Sequence, residues 1–504
     1  MIITNFGVFH LKNDNIYENV IKHYKSYNVR PLAFLSDAYI FSWFWDNLYI
    51  LLLVILIMHI CNLFFIYKIA EKINIKLNAY CLTLFALAPL LAEGLYWHSA
   101  SNRIVVSLFF CLSSIYLLIK YFEKKETKVQ TEEKLESQET KSKKIKTETR
   151  SLKEIIKKIK IVNLNVIREK IKKQTNKIPA KVFLIVAIIF NLLCVGYYEQ
   201  TVALNLFLFA FVLICLKKYK YLFIPIASTT WIGAWYIHFM MTGEMQARGA
   251  LSLSGIITNT IDTISEVSAN IHNMYLLFEY SLQQGKILLT DSWLSIILLL
   301  VIGVFIFFHY KNNWGKDENS SLIKKILLGL IIFITPILPF FVLETSFVAV
   351  RNMYLPIFGF MILIEVVVDL ILRLVKNDFV KNIIKTSMLG TAMILFVISN
   401  INELHDYKKV HELDNKIVAQ VLNEVGEEAI ENKKTISVNF DQESLVKYKN
   451  LTNYIYSVIE ADWALAGKIQ VTRQDEDFGT IYINEKQNEA DYTLYFDENM
   501  NLIK

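Results

Sequence analysis

Cysteine is scarce in this chain: 504 residues contain five. Cys61, Cys81, Cys111, Cys194 and Cys215 all fall inside long apolar runs, where a free thiol behaves as a small apolar side chain. No disulfide framework follows, and no Cys-x-x-Cys pair offers a metal site. Internal repeats are missing too, which excludes a helical-repeat array. The chain opens without the basic-then-apolar run of a secretory leader. The first long apolar run, from Leu48, is therefore expected to direct membrane insertion itself. Beyond Asn402 there is no Gly-rich phosphate loop, no metal-ligand spacing and no catalytic triad.

What the chain has is apolar surface. Hydrophobic residues make up 54% of it, and the mean hydropathy is +0.36. A membrane span needs about 20 mostly apolar residues. By that ruler about ten runs qualify: Leu48–Ile69, Leu77–Tyr96, Ile104–Phe122, Val182–Tyr197, Thr201–Leu216, Tyr221–Met241, Trp293–His309, Ile326–Leu343, Tyr354–Leu372 and Thr386–Ile401. The fourth and fifth are short and read as a hairpin of tilted helices.

Positive charge sets orientation. The segment 120–181 holds 20 Lys/Arg against 9 Asp/Glu, which places it in the cytoplasm. Lys217, Lys218, Lys220, Lys324, Lys325 and the run from Arg373 to Lys385 agree with it. The expected organisation is an outer N-terminal loop, 1–47, and a transmembrane domain, 48–401, with a basic cytoplasmic loop at 123–181 and an outer loop at 242–292. An extracytoplasmic α/β domain, 402–504, follows. In the basic loop, Ile155, Ile156, Ile159, Val162, Val166 and Ile167 recur at helical spacing among lysines. That fits a helix on anionic lipid, or else a solvated charged helix. In the C-terminal part, Val410–Ile430 and Tyr454–Ala466 read as helices. Thr435–Phe440, Lys468–Thr472, Thr480–Asn484 and Tyr492–Phe496 alternate like strands. The fold class expected is an all-α multi-pass membrane protein with a small C-terminal α/β soluble domain.

The stretch Pro89–Arg103 joins two of the apolar runs and carries Glu93, His98 and Arg103. A charge at bilayer depth costs roughly 2.5–3.5 kcal/mol even on lenient insertion scales. Ionisable groups at such a junction therefore line a cavity or cap a helix end. Other polar groups gather in the outer segments: Asp14, Glu18, Arg30, Glu199 and Arg351.

Several short blocks together resemble the GT-C superfamily of polyprenyl-phosphate-sugar-dependent glycosyltransferases, and within it the TMTC-type O-mannosyltransferases and their bacterial relatives. Tyr27-Asn28-Val29-Arg30-Pro31-Leu32 looks like the family's Tyr-Arg-Pro-Leu block. His59-Ile60-Cys61-Asn62 is similar to its His-x-x-Asn. Glu93-Gly94-Leu95-Tyr96-Trp97, followed by Arg103, resembles Glu-Ala-Val-Ala-Trp…Arg. Glu199-Gln200 resembles a later Lys-Glu, and Arg351-Asn352-Met353-Tyr354-Leu355-Pro356 resembles Arg-Tyr-Leu-Tyr-Leu-Pro. The blocks occur in the family's order over roughly residues 10–372. The chain also departs from the pattern. Lys12-Asn13-Asp14-Asn15 has one acidic residue where the family has two, and Leu91-Ala92 stands in place of His-Thr. The family's span ahead of the first outer loop would need a start upstream of Met1, and its helical-repeat tail is replaced by the α/β domain.

The resemblance implies an inverting transfer of sugar to a hydroxyl at the outer membrane face. Attack on the anomeric carbon needs a carboxylate to take the hydroxyl proton. The departing lipid phosphate needs cations. Asp14 is the implied base; by residue type alone it is also a turn former between two asparagines. Glu18 shares a helical face with Asp14 and is the reserve. Glu93 is a second carboxylate at the site or a helix-end charge bonded to a neighbouring span. Arg30, His98, Arg103, Glu199, Arg351 and Tyr354 are the candidate substrate- and phosphate-binding residues. Each has a plainer reading as an interface anchor, a cap or a loop clamp. His59 and Asn62, one turn apart, are read as interhelical hydrogen-bonding residues. The outer loop's Ile256–Tyr280 pattern reads as amphipathic helices on the membrane that cover a lipid access groove, or as a surface loop. No metal or other cofactor is implied; the lipid-linked sugar is a co-substrate. The acceptor would be protein Ser/Thr, a glycan or a wall polymer, with membrane lipids as further partners and no nucleic acid. Rival readings are an O-antigen polymerase or ligase, a lipid-glycan transporter, and a relative that only binds lipid. Pro336 and Pro339 lie in one run without a paired counterpart, against the symmetry usual in transporters.

Overall fold

The computed structural model describes residues 30–40, 48–91, 94–95, 98–139, 178–243, 255–291, 297, 300–301, 303–304, 322–343, 347–426, 432–441, 457–459, 461–473, 480–484 and 490–503. Asp14, Glu18, Glu93, the basic-loop helix and most of the expected span Trp293–His309 lie outside them.

Among the described residues, eleven α-helices with assigned ranges precede the first strand: α1 Pro31–Tyr39, α2 Leu48–Lys72, α3 Ala79–Leu87, α4 His98–Glu139, α5 Ala180–Tyr197, α6 Gln200–Cys215, α7 Phe223–Met241, α8 Ile256–Asp291, α9 Leu322–Ile334, α10 Tyr354–Leu372 and α11 Asp378–Val425. Among the described residues, five helical stretches are long and apolar enough to cross a membrane. They are Tyr49–Lys72, Ala100–Thr127, Ala180–Tyr197, Val350–Leu372 and the stretch Asp378–Val425. Gln200–Cys215 is apolar but shorter. Helices of this length and apolarity suit a membrane protein.

Two expected spans are not single helices. The run Leu77–Tyr96 is α3, which ends at Leu87, followed by a 3-10 turn at Pro89–Leu91. Pro89 supplies no N–H to continue the ladder. The run Ile326–Leu343 is α9, which stops at Ile334 ahead of Pro336, then a turn and a 3-10 segment at Leu338–Phe341. Apolar composition carried both expectations past a proline that ends the helix.

Helix α2 shows why the bundle belongs in lipid. Leu51, Ile55, His59, Asn62, Ile66 and Ile69 recur every three or four residues and are buried. Leu53, Ile57, Ile60, Phe64 and Tyr67 on the other faces are exposed. The inward stripe therefore holds the polar groups and the outward faces are apolar, the reverse of a helix on a water-soluble protein. Helix α4 is the most enclosed of the long helices and packs on α2 and α5. Its small side chains let backbones approach: Ser114 Oγ donates to Ala187 O of α5 at 2.7 Å. Between α5, α6 and α7, Asn191 and Asn205 exchange amide hydrogen bonds at 2.7 and 3.2 Å, and Ser228 donates to Asn191.

One end of the bundle is rich in lysine: Lys72 and Lys120 pair with Glu123, and Lys218 pairs with Glu126. Nearby, Lys324 Nζ donates to Ile73 O. Buried Lys325 of α9 pairs with Glu365 and Asp369 of α10, Lys385 of α11 reaches Asp369, and Asn78 Nδ2 donates to Glu365 at 2.6 Å.

Helix α11 does not stop where the soluble domain was expected to begin; it runs unbroken through residue 402. Its last turns, with Ile417, Val418, Val421 and Val425, form one wall of the C-terminal core. Against them lies a parallel three-stranded sheet of order β2-β1-β3, with β1 Ile436–Phe440, β2 Ile481–Ile483 and β3 Tyr492–Phe496. The expected strand Lys468–Thr472 is instead part of helix α12, Asp462–Arg473. Leu465 and Ile469, four apart and both buried, set the period.

Helices α9 and α10 cross at two glycines. A Cβ on Gly359 would meet Phe333 N and lie 2.5 Å from Gly329 O, atoms that move only if the helices separate. Gly359→Ala is therefore expected to cost about 1–3 kcal/mol or more from overpacking. It should lower the thermal midpoint of the detergent-solubilised protein; an unchanged midpoint would show that the crossing is looser than it stands here.

Candidate anion site at the Arg351 end

At the end of the bundle opposite the lysines, segments far apart in sequence meet around the α5–α6 turn. Arg30 is the residue before α1, whose first position is Pro31, a ring already fixed for helix entry. Its guanidinium takes the Glu199 carboxylate with two nitrogens: Nε donates to Oε2 at 2.6 Å and Nη2 to Oε1. The same guanidinium lies 4.6 Å from the centre of the Tyr198 ring, a cation–π contact. Burial opposes the charge on Glu199. The Arg30 charge and its hydrogen bonds outweigh that and hold the carboxyl below its usual value. Burial, helped by the Glu199 charge, pushes the Tyr198 phenol well above its ordinary range, so it remains a donor.

Tyr198 uses that proton on the 3-10 turn Val350–Met353. Its Oη donates to Asn352 Oδ1 at 2.7 Å, and Gln200 Nε2 donates to Asn352 O at 3.1 Å. Asn352 Nδ2 donates to Phe347 O at 3.3 Å, which closes the loop on itself. The α5–α6 turn thus grips the segment that carries Arg351. Gly94 completes the junction: a Cβ there would lie 3.3 Å from Tyr354 Cβ and 3.6 Å from Arg351 O. Arg103, in the second turn of α4, acts electrostatically on both Glu199 and Tyr198, and Arg351 acts on Tyr198. Three guanidiniums, those of Arg30, Arg103 and Arg351, therefore gather around one hairpin tip. Chemically, such a cluster attracts an anion with several acceptor oxygens, because each guanidinium presents a fork of donors.

Of the residues singled out from sequence, Arg30, Arg103, Glu199 and Arg351 come together here. Glu199 is engaged by Arg30. Tyr354 shares the turn but faces inward: it is wholly buried, and its hydroxyl pairs with His59 Nδ1 at 2.6 Å. Phe85 packs on both rings. Asn62 donates to Val105 O of α4 at 3.2 Å. His59 and Asn62 thus make contacts between helices. His98 heads α4, and its side chain is outside the described part, as are Asp14 and Glu93 altogether. Tyr198 was not singled out in the sequence, although it adjoins the Glu199-Gln200 block; Gln200 and Asn352 stood in quoted blocks without a role of their own. Among the described residues no group of three or more His, Cys, Asp and Glu side chains is arranged to hold a metal.

The Arg30–Glu199 pair gives a pH test. The folded carboxyl lies below its unfolded value of about 4.3. Its stabilisation is present above that value and is lost as pH falls through the lower folded one. Thermal midpoints should therefore drop on the acid side in the parent and show a smaller acid-side drop in Glu199→Gln. The variant should be about 1–3 kcal/mol less stable at neutral pH, since a charged donor is left underused. Superimposable pH profiles would remove the pair from the stability of this end.

Comparisons of the chain with protein-family models, with curated proteins and with solved structures find no match in any of the three.

Proposed function

We propose that the protein is an integral membrane glycosyltransferase of the GT-C type, moving a sugar from a polyprenyl-phosphate donor to a hydroxyl acceptor at the outer face of the membrane. The observation that carries this reading is the convergence of the separate blocks at Arg30, Gly94, Arg103, Glu199 and Arg351 on one end of the bundle. The lysine-rich opposite end supports assignment of the arginine end to the outer side.

In this mechanism the donor's isoprenoid chain lies along the apolar bundle and its phosphate meets Arg103 and Arg351. The acceptor hydroxyl attacks the anomeric carbon from the face opposite the phosphate. Its proton passes to a carboxylate, Asp14 by the family resemblance, with Glu93 as a second acidic group at the site. As the bond to the phosphate oxygen breaks, charge grows on the lipid phosphate, and fixed guanidiniums stabilise it without reorganising. Arg30 and Glu199 hold the α5–α6 turn in place, and Tyr354 seats the Arg351 turn on the core. The C-terminal domain, carried on α11, serves acceptor binding.

Mass spectrometry of lipids that co-purify with the protein tests this directly. Wild type is expected to retain a polyprenyl-phosphate sugar, and Arg103→Ala and Arg351→Ala to lose it. Asp14→Asn should keep the lipid and lose turnover by about 10²–10⁴-fold, the usual contribution of a general base. A diphosphate-linked oligosaccharide in the wild type would instead indicate a polymerase or ligase. Recovery of neither lipid would count against an enzyme acting on lipid-linked sugar.

A further inference from the structure

Helix α8 divides into three faces. Successive residues turn by about 100°, so positions related by four, seven and eleven share a stripe. One stripe, Thr263, Val267 and Asn270, with Met274 partly covered, is turned into the protein. It is fastened to the segment leading into the Arg351 turn: Asn259 Nδ2 donates to Leu343 O, Asn270 Nδ2 donates to Val348 O, and Glu266 Oε2 accepts from Val348 N, at 2.6 to 2.7 Å. A second stripe holds Ile257, Ile261, Ile264 and Tyr275, which are 77%, 62%, 56% and 60% exposed. The third holds Thr258, Asp262, Ser265 and Ala269, also exposed and all polar or small, until Leu276, 44% exposed, joins it further along the helix.

A helix that covers itself on one side, leaves large apolar groups bare on a second and polar groups on a third fits a boundary between two solvents. A helix surrounded by water would not keep a row of bare isoleucines, and one sunk in hydrocarbon would not keep Asp262 exposed. Apolar surface is bare at neighbouring points too: the last turns of α7 expose Ile237, Met240 and Met241, and Phe347, next to the Val348 that holds α8, is 59% exposed.

We infer that α8 is an interfacial helix whose Ile257–Ile261–Ile264–Tyr275 flank lies in the lipid leaflet at the Arg351 end while its Thr258–Asp262–Ser265 flank faces water. Its occupant is the bilayer, at the boundary between headgroups and acyl chains. Through Val348 the helix fixes the height of the Arg351 turn against that leaflet. This inference stands apart from glycosyl transfer and survives the loss of that reading.

Photo-cross-linking of the full-length protein in phosphatidylethanolamine–phosphatidylglycerol vesicles tests it. p-Benzoylphenylalanine is placed singly at positions 257, 261, 264, 258, 262 and 265, all exposed sites that tolerate a new side chain. The expected result is several-fold more phospholipid adduct at 257, 261 and 264 than at 258, 262 and 265. Equal lipid adducts at both sets would overturn the inference in favour of a submerged helix. Absence of lipid adducts at 257, 261 and 264 would overturn it in favour of a helix standing clear of the membrane. Cross-links between two copies of the chain at those sites, in place of lipid, would overturn it in favour of an interface between copies.

Discussion

In hydrocarbon a polar group has no water to fall back on, so each one must find its partner inside the protein. That constraint organises this bundle. The amide pair Asn191–Asn205 with Ser228 ties α5, α6 and α7. The His59–Tyr354 bond ties α2 to α10, and Asn62 ties α2 to α4. Lys325, Glu365, Asp369, Lys385 and Asn78 join four segments at the lysine-rich end. Such bonds are modest singly, about 0.6–2 kcal/mol each in membranes. Their value is in direction, since dispersion alone leaves apolar helices free to slide.

The same rule shapes the arginine-rich end. A guanidinium there stays charged, so the surroundings must supply acceptors or an anionic ligand. Arg30 has its acceptor in Glu199. Held by that pair, the α5–α6 turn spends Tyr198 and Gln200 on the Asn352 turn rather than on solvent. The result is a rigid collar that brings Arg103 and Arg351 to one place. Under the proposed function, it is at this collar that the phosphate of a lipid-linked sugar would meet its cations.

Helix α11 joins the bundle to the C-terminal core. It leaves the bundle without a break and becomes a wall of the C-terminal core. The helix end comes only at Gly426, whose φ of 76° suits a residue without a Cβ. The sheet is therefore joined to the bundle by continuous helix rather than by a linker.

Much was legible in sequence where the cause is local. Apolar runs about as long as a bilayer crossing announced the membrane, and the short strands at 436–440, 481–483 and 492–496 showed their alternation. Pro89 and Pro336, which break two expected spans, are local signals too, but the apolar residues on both sides of each read as one run. Lys468–Thr472 misled because a five-residue window fits both periods, and only the burial of Leu465 and Ile469 decided for helix. The blocks named Arg30, Arg103, Glu199 and Arg351 as residues of interest. That Arg30 would be matched to Glu199, that Tyr354 would turn inward to His59, and that Asn352 would be the post to which the hairpin is tied were decided by the tertiary structure alone. Hydrophobic period and proline act within a few residues along the chain. The partner of a buried polar group is whichever side chain packing delivers to it, and no local pattern records that choice.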